Sequence, residues 1–295
     1  KVLQGVNELS SAAGMLGSEL LLGVPAGHEG VGTDLLSGPS VAAAGVDLSD
    51  AAAVERAWIE HGPFVGVIHC AAYTAVDKAE EQPDLARKVN VDASRVVAQA
   101  CARHGAQLVA VSTDFVFDGT KTTPYVESDA AAPLSVYGVT KLDGERATLA
   151  AHPAGSAIVR TQWLYGPRGK HFPRTIVGFA REKGRLKVVA DQFGAPTTTL
   201  ELAPALWDVL LARATGIYHA ACPGSCSWHG FTRAILDECG LKQVVLEACD
   251  TSAFPRPARR PAYSVLDSSK LAALRGRPMA PWREALKNYL AVEPL

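Results

Sequence analysis

Tyr137 and Lys141 are the residues of this sequence whose types and spacing most directly indicate chemistry. Side chains four positions apart share one face of a helix, which would place the phenol beside the ammonium. A neighbouring ammonium favours the phenolate, so we expect it to lower the pKa of Tyr137. Such a tyrosine can protonate a ketone oxygen while a hydride arrives at the carbon. The spacing alone is a weak signal, because a surface pair on a helix has the same pattern.

A hydroxyl upstream strengthens this signal. Thr113 follows the predicted buried strand 108–112 and precedes Tyr137 by two dozen residues. Its hydroxyl can donate to a carbonyl oxygen held beside Tyr137 and stabilise the oxyanion that develops there. On its own, Thr113 is equally well explained as the cap of a turn. The conjunction of both motifs is similar to the short-chain dehydrogenase/reductase superfamily and predicts a reductase.

The elements that must hold these groups alternate along the first half of the chain. Strands are predicted at 1–4, 65–70, 108–112 and 157–160, and helices at 83–105 and 134–151. Short, continuously apolar strands between longer helices predict an α/β fold with a Rossmann-type, doubly wound parallel sheet. We predict an NAD(P)-binding domain over 1–159. Residues 160–295 should form a smaller, loop-rich substrate lobe, with some segments returning to pack on the first domain.

A glycine-containing segment follows the first predicted strand. Gly14, Met15, Leu16 and Gly17 resemble the end of a dinucleotide-binding fingerprint, but Ser11 occupies the position of its first glycine. The two remaining glycines permit close approach of a pyrophosphate and close helix packing. The N–H groups at the start of the next helix are available to phosphate. We therefore expect a functional cofactor loop with an altered tight turn.

Two acidic positions further along complete the predicted cofactor site. Asp34 lies twenty residues after Gly14, the spacing of a carboxylate that binds the adenosine ribose. A carboxylate there disfavours a 2′-phosphate, which keeps NADH open beside NADPH. Asp47 and Leu48 are predicted to face the adenine.

Composition excludes several classes of function. The chain has 29 Lys and Arg, 30 Asp and Glu, and a net charge of −1, so no nucleic-acid footprint is expected. No apolar run is long enough to span a membrane, and no secretion signal is recognisable. Cys222 and Cys226, with His219 and His229 nearby, match no standard zinc spacing. Unpaired thiols predict a cytoplasmic protein.

Longer stretches of the sequence resemble the dTDP-4-dehydrorhamnose reductase family. They run from about residue 14 to about residue 270 and read GMLGSEL, AAYTAVDKAE, KVNVDAS, STDFVFDG, YGVTKLDGE, VRTQWLYGP, DQFGAPT, GIYHAA and RPAYSVLD. The chain departs from the family's pattern in the glycine loop and at Lys170-His171-Phe172, where the family often carries asparagines.

The resemblance implies reduction of the C4 ketone of dTDP-6-deoxy-L-lyxo-4-hexulose to dTDP-L-rhamnose, with NADPH or NADH. It implies a catalytic trio of Thr113, Tyr137 and Lys141, of which Tyr137 and Lys141 also contact the cofactor. The implied cofactor-flanking residues are Ala71, Ala72 and Tyr73, and the implied substrate-binding residues are Val76, Asp114, Phe115 and Trp163. Some members dimerise around Mg²⁺, which implies a homodimer with Glu19 and Glu201 as possible metal ligands.

Other activities on the same fold remain as alternatives. Sugar-nucleotide 4,6-dehydratases carry Asp-Glu after the threonine, whereas this chain has Asp114-Phe115 and so lacks the second carboxylate. Epimerases do not share the DQFGAPT and RTQWLYG signatures. A reductase of another nucleotide-4-keto sugar and a non-catalytic regulatory subunit, as in methionine adenosyltransferase, stay open.

Overall fold

The structure is a computed structural model that describes residues 2–5, 14–38 and 41–295, the first stretch as backbone only. Its strands are β1 Val2–Gly5, β2 Gly30–Asp34, β3 Ala43–Ala44, β4 Gly66–His69, β5 Gln107–Thr113, β6 Ser156–Thr161, β7 Leu164–Tyr165, β8 Arg185–Val189, β9 Phe193–Gly194, β10 Thr197–Thr198, β11 Gly216–His219, β12 Cys226–Ser227 and β13 Val245–Cys249. Within the described residues no helix is long and apolar enough to cross a membrane.

The helices alternate with these strands. They are α1 Met15–Leu22, α2 Ala51–His61, α3 Val76–Glu81, α4 Pro83–Arg87, α5 Ala93–His104, α6 Val136–Ala151, α7 Phe172–Lys183, α8 Thr199–Leu211, α9 Trp228–Glu238, α10 Ser269–Arg275 and α11 Trp282–Val292. The predicted helix 83–105 is divided into α4 and α5 by a π-helical turn at Lys88–Asp92. It ends at Gly105, whose φ of 70° is the left-handed conformation that suits glycine at a helix end.

One seven-stranded sheet among the described residues forms the centre of the molecule. Its order is β11-β6-β5-β4-β1-β2-β3, and every pair is parallel. This confirms the predicted α/β class and Rossmann-type sheet. Because β1 lies between β2 and β4, the chain crosses to one side of β1 and later to the other. The carboxyl ends of β1 and β4 therefore flank the crevice where ligands of such sheets bind.

Apolar residues alternate between the two faces of the sheet. Val67 and Leu108 pack with α2 and α5 on one face. Ile68 and Val109 pack with α1 and α8 on the other face. Burial on both faces explains why these strands are almost continuously apolar in sequence.

The second half of the chain both builds a smaller set of elements and completes the main sheet. Strands β8 and β13 pair in parallel, and short pairs join β7 to β10 and β9 to β12. Strand β11, however, pairs with β6 and forms one edge of the main sheet. Strand β6 itself continues to Thr161. The division at residues 159 and 160 stays a prediction.

Candidate active site

The catalytic candidates converge where β5 ends and α6 begins. Thr113 is the last residue of β5, and Tyr137 lies in the first turn of α6. Ser135 caps this helix by accepting a hydrogen bond from the N–H of Gly138 at 3.2 Å. The Thr113 hydroxyl lies close enough to the Tyr137 phenol to lower the pKa of that phenol. A strand end and a helix start thus bring the hydroxyl and the phenol together.

The environment of Tyr137 corrects the expectation for its pKa. Burial raises the pKa of Tyr137 to about 12, opposed by the neighbouring Thr113 hydroxyl and assisted by the charge of Asp114. The expected lowering by Lys141 is therefore wrong in this structure. The Lys141 ammonium donates instead to the Val111 carbonyl oxygen at 2.8 Å. Tyr137 is consequently a neutral phenol at physiological pH, which is the protonation state of a proton donor.

An apolar cluster surrounds the Tyr137 ring and unites several predicted residues. Tyr73 and Tyr137 are both buried in it, and Val76 and Phe115 pack against it. The rings of Phe115 and Tyr137 meet edge to face, with centroids 5.5 Å apart. Ala71 and Ala72, just beyond the carboxyl end of β4, are also buried. The structure thus places residues predicted for cofactor and for substrate around one phenol.

Asn90 connects this cluster to α6 through hydrogen bonds. Its Oδ1 accepts from the N–H of Tyr73 at 2.8 Å, and its Nδ2 donates to Thr140 Oγ1 at 3.0 Å. Thr140 in turn donates to the Tyr137 carbonyl oxygen at 3.0 Å. Asn90 occupies the π-helical turn, a distortion that is frequent at functional sites. It holds the segment after β4 at a fixed position relative to α6.

Asp114 is a buried carboxyl group beside the threonine. The Thr113 hydroxyl donates to Asp114 Oδ1 at 3.0 Å, whereas Asp114 Oδ2 is buried with no hydrogen-bond partner. Burial raises the pKa of Asp114 to about 6, opposed by the neighbouring hydroxyls of Ser264 and Thr113. An unsatisfied carboxyl oxygen here can accept a hydrogen bond from a ligand hydroxyl.

We predict that Asp114→Asn stabilises the protein at pH 8 and that the gain disappears toward pH 4. The folded-state pKa is raised, so as pH rises from about 4 to about 6 the unfolded chain loses its proton first and folding stability falls. The full cost above pH 6 is about 3 kcal/mol. Urea unfolding of both proteins from pH 4 to 8 measures this difference. Asp84→Asn, which neutralises an exposed carboxylate, controls for net charge. A gain that does not vary with pH would contradict the prediction.

The candidate cofactor residues lie at the carboxyl ends of β1, β2 and β4. Gly14 is the N-cap of α1, which includes Met15, Leu16 and Gly17. Ser11 lies outside the described residues, whereas Gly5 is the last residue of β1. The N–H groups at the start of α1 suit a pyrophosphate at this position.

Asp34, at the carboxyl end of β2, is completely buried. Its Oδ1 accepts from the N–H of Leu36 at 3.2 Å, and its Oδ2 has no hydrogen-bond partner among the residues that the structure describes. Asp47 accepts from the Ser49 hydroxyl at 2.6 Å and from Lys88 Nζ at 3.1 Å, and the neighbouring Leu48 is buried. A ribose hydroxyl could donate to this Asp34 oxygen, and the role of Asp34 at the adenosine ribose stays a prediction from its spacing to Gly14.

Trp163 is held in an unusual conformation just beyond β6. Its φ of 45° lies in the left-handed region, which is costly for a bulky residue. Its ring stacks on Trp228 with centroids 3.6 Å apart. A side chain on Gly194 would meet the same ring at 2.5 Å, so only glycine fits there. These contacts fix the Trp163 ring as a rigid wall at the end of the sheet.

The glutamates expected to bind magnesium do not fit a metal ion. Glu19 forms an ion pair with Arg168, and Glu201 accepts from the N–H of Ala280 at 2.9 Å. Glu293 is paired with Arg174. Among the described residues, no group of three or more His, Cys, Asp or Glu side chains could hold a metal. Arg168 neutralises Glu19, and the backbone N–H of Ala280 is bonded to Glu201, so the expectation of Mg²⁺ is not supported.

Two histidines singled out by the motifs are structural. His219 is buried, and its Nδ1 lies 3.1 Å from the Tyr125 carbonyl oxygen. His171, in the stretch that departs from the family, caps α7 by accepting from the N–H of Arg174 at 3.3 Å. Neither of them belongs to the cluster around Tyr137.

Sequence reasoning missed three residues of this site. Asn90 and Ser264 come from distant segments, and no local pattern identifies them. Glu145 could have been found, because it follows Lys141 by four positions and continues the helix face of Tyr137. It is buried behind the catalytic candidates.

The fold and the site together define a class. A parallel Rossmann-type sheet with a strand-end threonine beside a Tyr-x-x-x-Lys helix is the arrangement of a short-chain dehydrogenase/reductase. Residues 9–293 match the family model described as the RmlD substrate binding domain. The chain is also 42% identical over 289 residues to the dTDP-4-dehydrorhamnose reductase of Mycobacterium tuberculosis, covering 96% of this chain and 91% of that protein. The chain belongs to the dTDP-4-dehydrorhamnose reductase family, which confirms the expectation from the motifs.

Two further relatives bear on substrate and cofactor. A probable dTDP-4,6-dihydroxy-2-methyloxan-3-one 4-ketoreductase of Streptomyces antibioticus is 38% identical, over 95% of this chain and 92% of that protein. The crystal structure of dTDP-4-dehydrorhamnose reductase from Bacillus anthracis in complex with NADP is 33% identical, with a TM-score of 0.89. That match covers 99% of this chain and 98% of the other.

Proposed function

We propose that this protein reduces the C4 ketone of dTDP-4-dehydro-6-deoxy-L-mannose to dTDP-L-rhamnose, with NAD(P)H as the reductant. The observation that carries this function is the junction of β5 and α6, where the Thr113 hydroxyl lies beside a buried, neutral Tyr137. Family membership supports the nucleotide-sugar substrate. The intact catalytic trio favours an enzyme over a non-catalytic regulatory subunit.

Each residue of the site has its own role in the proposed reduction. NADPH, when bound, supplies the hydride that is added to C4. The Tyr137 hydroxyl donates the proton to the ketone oxygen, and the Thr113 hydroxyl stabilises negative charge on that oxygen. Lys141, whose ammonium donates to the Val111 carbonyl oxygen, binds the nicotinamide ribose, and its positive charge stabilises the phenolate that forms once Tyr137 has given up its proton. Asp114 accepts a hydrogen bond from a sugar hydroxyl, and Val76, Phe115 and Trp163 line the sugar pocket.

Two observations point to different coenzymes. NADP in the Bacillus anthracis relative supports NADPH. The buried Asp34 carboxylate supports NADH, because it would repel a 2′-phosphate at the adenosine ribose. The other groups proposed to contact the cofactor are the start of α1, Ala71, Ala72 and Tyr73. Those proposed to face the adenine are Asp47 and Leu48.

A second substrate is favoured by one relative. The Streptomyces antibioticus protein is named for the reduction of a different dTDP-linked 4-ketone. Reduction at C4 is common to both names, so the difference lies in the sugar. A reductase of another nucleotide-4-keto sugar is therefore the alternative function.

A substrate panel tests both functions. The assay follows oxidation of NADPH and of NADH with 4-keto sugars linked to dTDP, UDP and GDP. The proposal expects the highest kcat/KM with dTDP-4-dehydro-6-deoxy-L-mannose and formation of dTDP-L-rhamnose. A higher value with another 4-keto sugar establishes the alternative. Binding of coenzyme without turnover of any 4-keto sugar contradicts both.

Location and assembly are further proposals. We place the protein in the cytoplasm, because none of the six cysteines forms a disulfide, as expected in a reducing compartment. The homodimer stays a prediction, as does the division into a cofactor domain and a substrate lobe.

A further inference from the structure

A buried ion pair lies directly behind the catalytic trio. Glu145 and Arg160 form two hydrogen bonds, from Nε to Oε1 at 2.9 Å and from Nη2 to Oε2 at 2.7 Å. Both side chains are only 3% exposed. Ser112, the neighbour of Thr113, also donates to Glu145 Oε1 at 2.5 Å. The Glu145 carboxylate therefore accepts three hydrogen bonds in the interior of the protein.

These contacts join three elements of the site. Glu145 lies on α6, two turns after Tyr137 and one turn after Lys141. Ser112 and Arg160 are register partners in the neighbouring strands β5 and β6. The carboxylate consequently ties the helix that carries Tyr137 and Lys141 to the strand that carries Thr113. Lys141, Ser112 and Glu145 also line one small cavity, with Ser94 and Thr148.

We propose that Glu145, held by Arg160 and Ser112, is a positioning residue that keeps the Lys141 ammonium charged and in place behind Tyr137. The inference rests on the proposed function for the role of Lys141 in the reaction. The placement of Glu145 itself is a property of the folded chain and can be tested without turnover.

The surroundings of Lys141 make its charge dependent on Glu145. Burial lowers the pKa of Lys141 to about 8, opposed by the charges of Glu145 and Cys70. His69, on β4, also interacts with Lys141. The other polar groups at this site are Tyr137 on α6, Ser112, Thr113 and Asp114 at the end of β5, and Arg160 on β6. With its pKa this close to neutrality, Lys141 would lose its proton in the physiological range if Glu145 were neutral.

The test measures the pKa of Lys141 directly. The protein is labelled with ¹³C at the lysine Cε atoms, and Lys141→Arg identifies the signal of Lys141. NMR titration then compares wild type with Glu145→Gln, in which a neutral side chain of the same shape replaces the carboxylate. We expect the pKa of Lys141 to fall by about one unit.

Two further variants make the result decisive. Glu145→Gln leaves Arg160 as an unpaired buried cation and could fail to fold for that reason. In that case the double variant Glu145→Gln/Arg160→Gln, which removes both charges, provides the test. It should show a smaller fall in the same direction. Asp143→Asn removes a carboxylate from the outer face of the same helix, where Asp143 pairs with Arg87 and Arg146. This control should leave the pKa of Lys141 unchanged.

The outcomes separate this inference from the proposed function. A Lys141 pKa that is equal in wild type and in the folded double variant overturns the role of Glu145, whatever the substrate. A wild type that reduces no 4-keto sugar overturns the proposed function, while the titration still decides on Glu145. If the role of Glu145 and the proposed function are both correct, activity should fall as rising pH removes the proton from Lys141. This fall should begin at a lower pH in the Glu145 variants than in wild type.

Discussion

Replacing Tyr137 by Phe is expected to lower kcat for 4-keto sugar reduction by roughly 10²–10⁴-fold. The change removes the hydroxyl proposed to donate the proton and keeps the ring that packs in the apolar cluster with Tyr73 and Phe115. Coenzyme affinity should therefore change little, because the cavity keeps its shape. Steady-state oxidation of NADPH, with coenzyme binding followed by fluorescence, measures both quantities.

The control for Tyr137→Phe is Tyr218→Phe. Tyr218 lies on the edge strand β11, where its ring is covered by the Lys270 ammonium at 4.2 Å. It loses the same hydroxyl at a site outside the cluster around Tyr137, so its kcat should match wild type. A Tyr137→Phe variant that is folded and keeps kcat within about tenfold of wild type would show that another group donates the proton.

Glu145→Ala is expected to lower the free energy of unfolding by about 3–5 kcal/mol. The substitution leaves the Arg160 guanidinium buried without its counter-charge, and it also removes the acceptor of the Ser112 hydroxyl. For a protein of this size the melting temperature should fall by roughly 6–20 °C. Urea unfolding and calorimetry measure the two quantities.

An exposed ion pair on the same helix provides the comparison. Asp143 is paired with Arg87 at 3.1 Å near the surface, so Asp143→Ala should cost less than about 1 kcal/mol. The apolar double variant Glu145→Leu/Arg160→Met should recover most of the stability lost in Glu145→Ala, because no charge is left buried and unpaired. Equal losses in Glu145→Ala and Asp143→Ala would contradict a buried ion pair.

Local patterns predicted the parts of this protein that depend on neighbours in sequence. Buried strands are continuously apolar, and β4, β5 and β6 each lie within one or two residues of the predicted limits. The four-residue spacing of Tyr137 and Lys141 predicted that they share one face of a helix. The strand-end position of Thr113 followed from the same reasoning, because a buried strand must end where polar residues begin.

Contacts between distant segments could not be predicted in this way. Glu145 meets Arg160 only because α6 packs on β6, and Trp163 meets Trp228 across two elements of the second half. No periodicity links such residues. The predicted lowering of the Tyr137 pKa was wrong for the same reason. Its sequence neighbourhood shows the Lys141 charge, whereas the burial that dominates comes from residues such as Tyr73 and Val89 elsewhere in the chain.

The position of β11 has a consequence for how this protein folds during its synthesis on the ribosome. Until residues 216–219 have emerged, β6 has an open edge of unpaired N–H and C=O groups, although the proposed catalytic residues Thr113, Tyr137 and Lys141 have already been synthesised. The nascent reductase must therefore keep that edge from pairing with another chain while the ribosome adds the rest. A truncation that removes β11 would leave the same edge open permanently and should produce aggregates rather than a smaller enzyme.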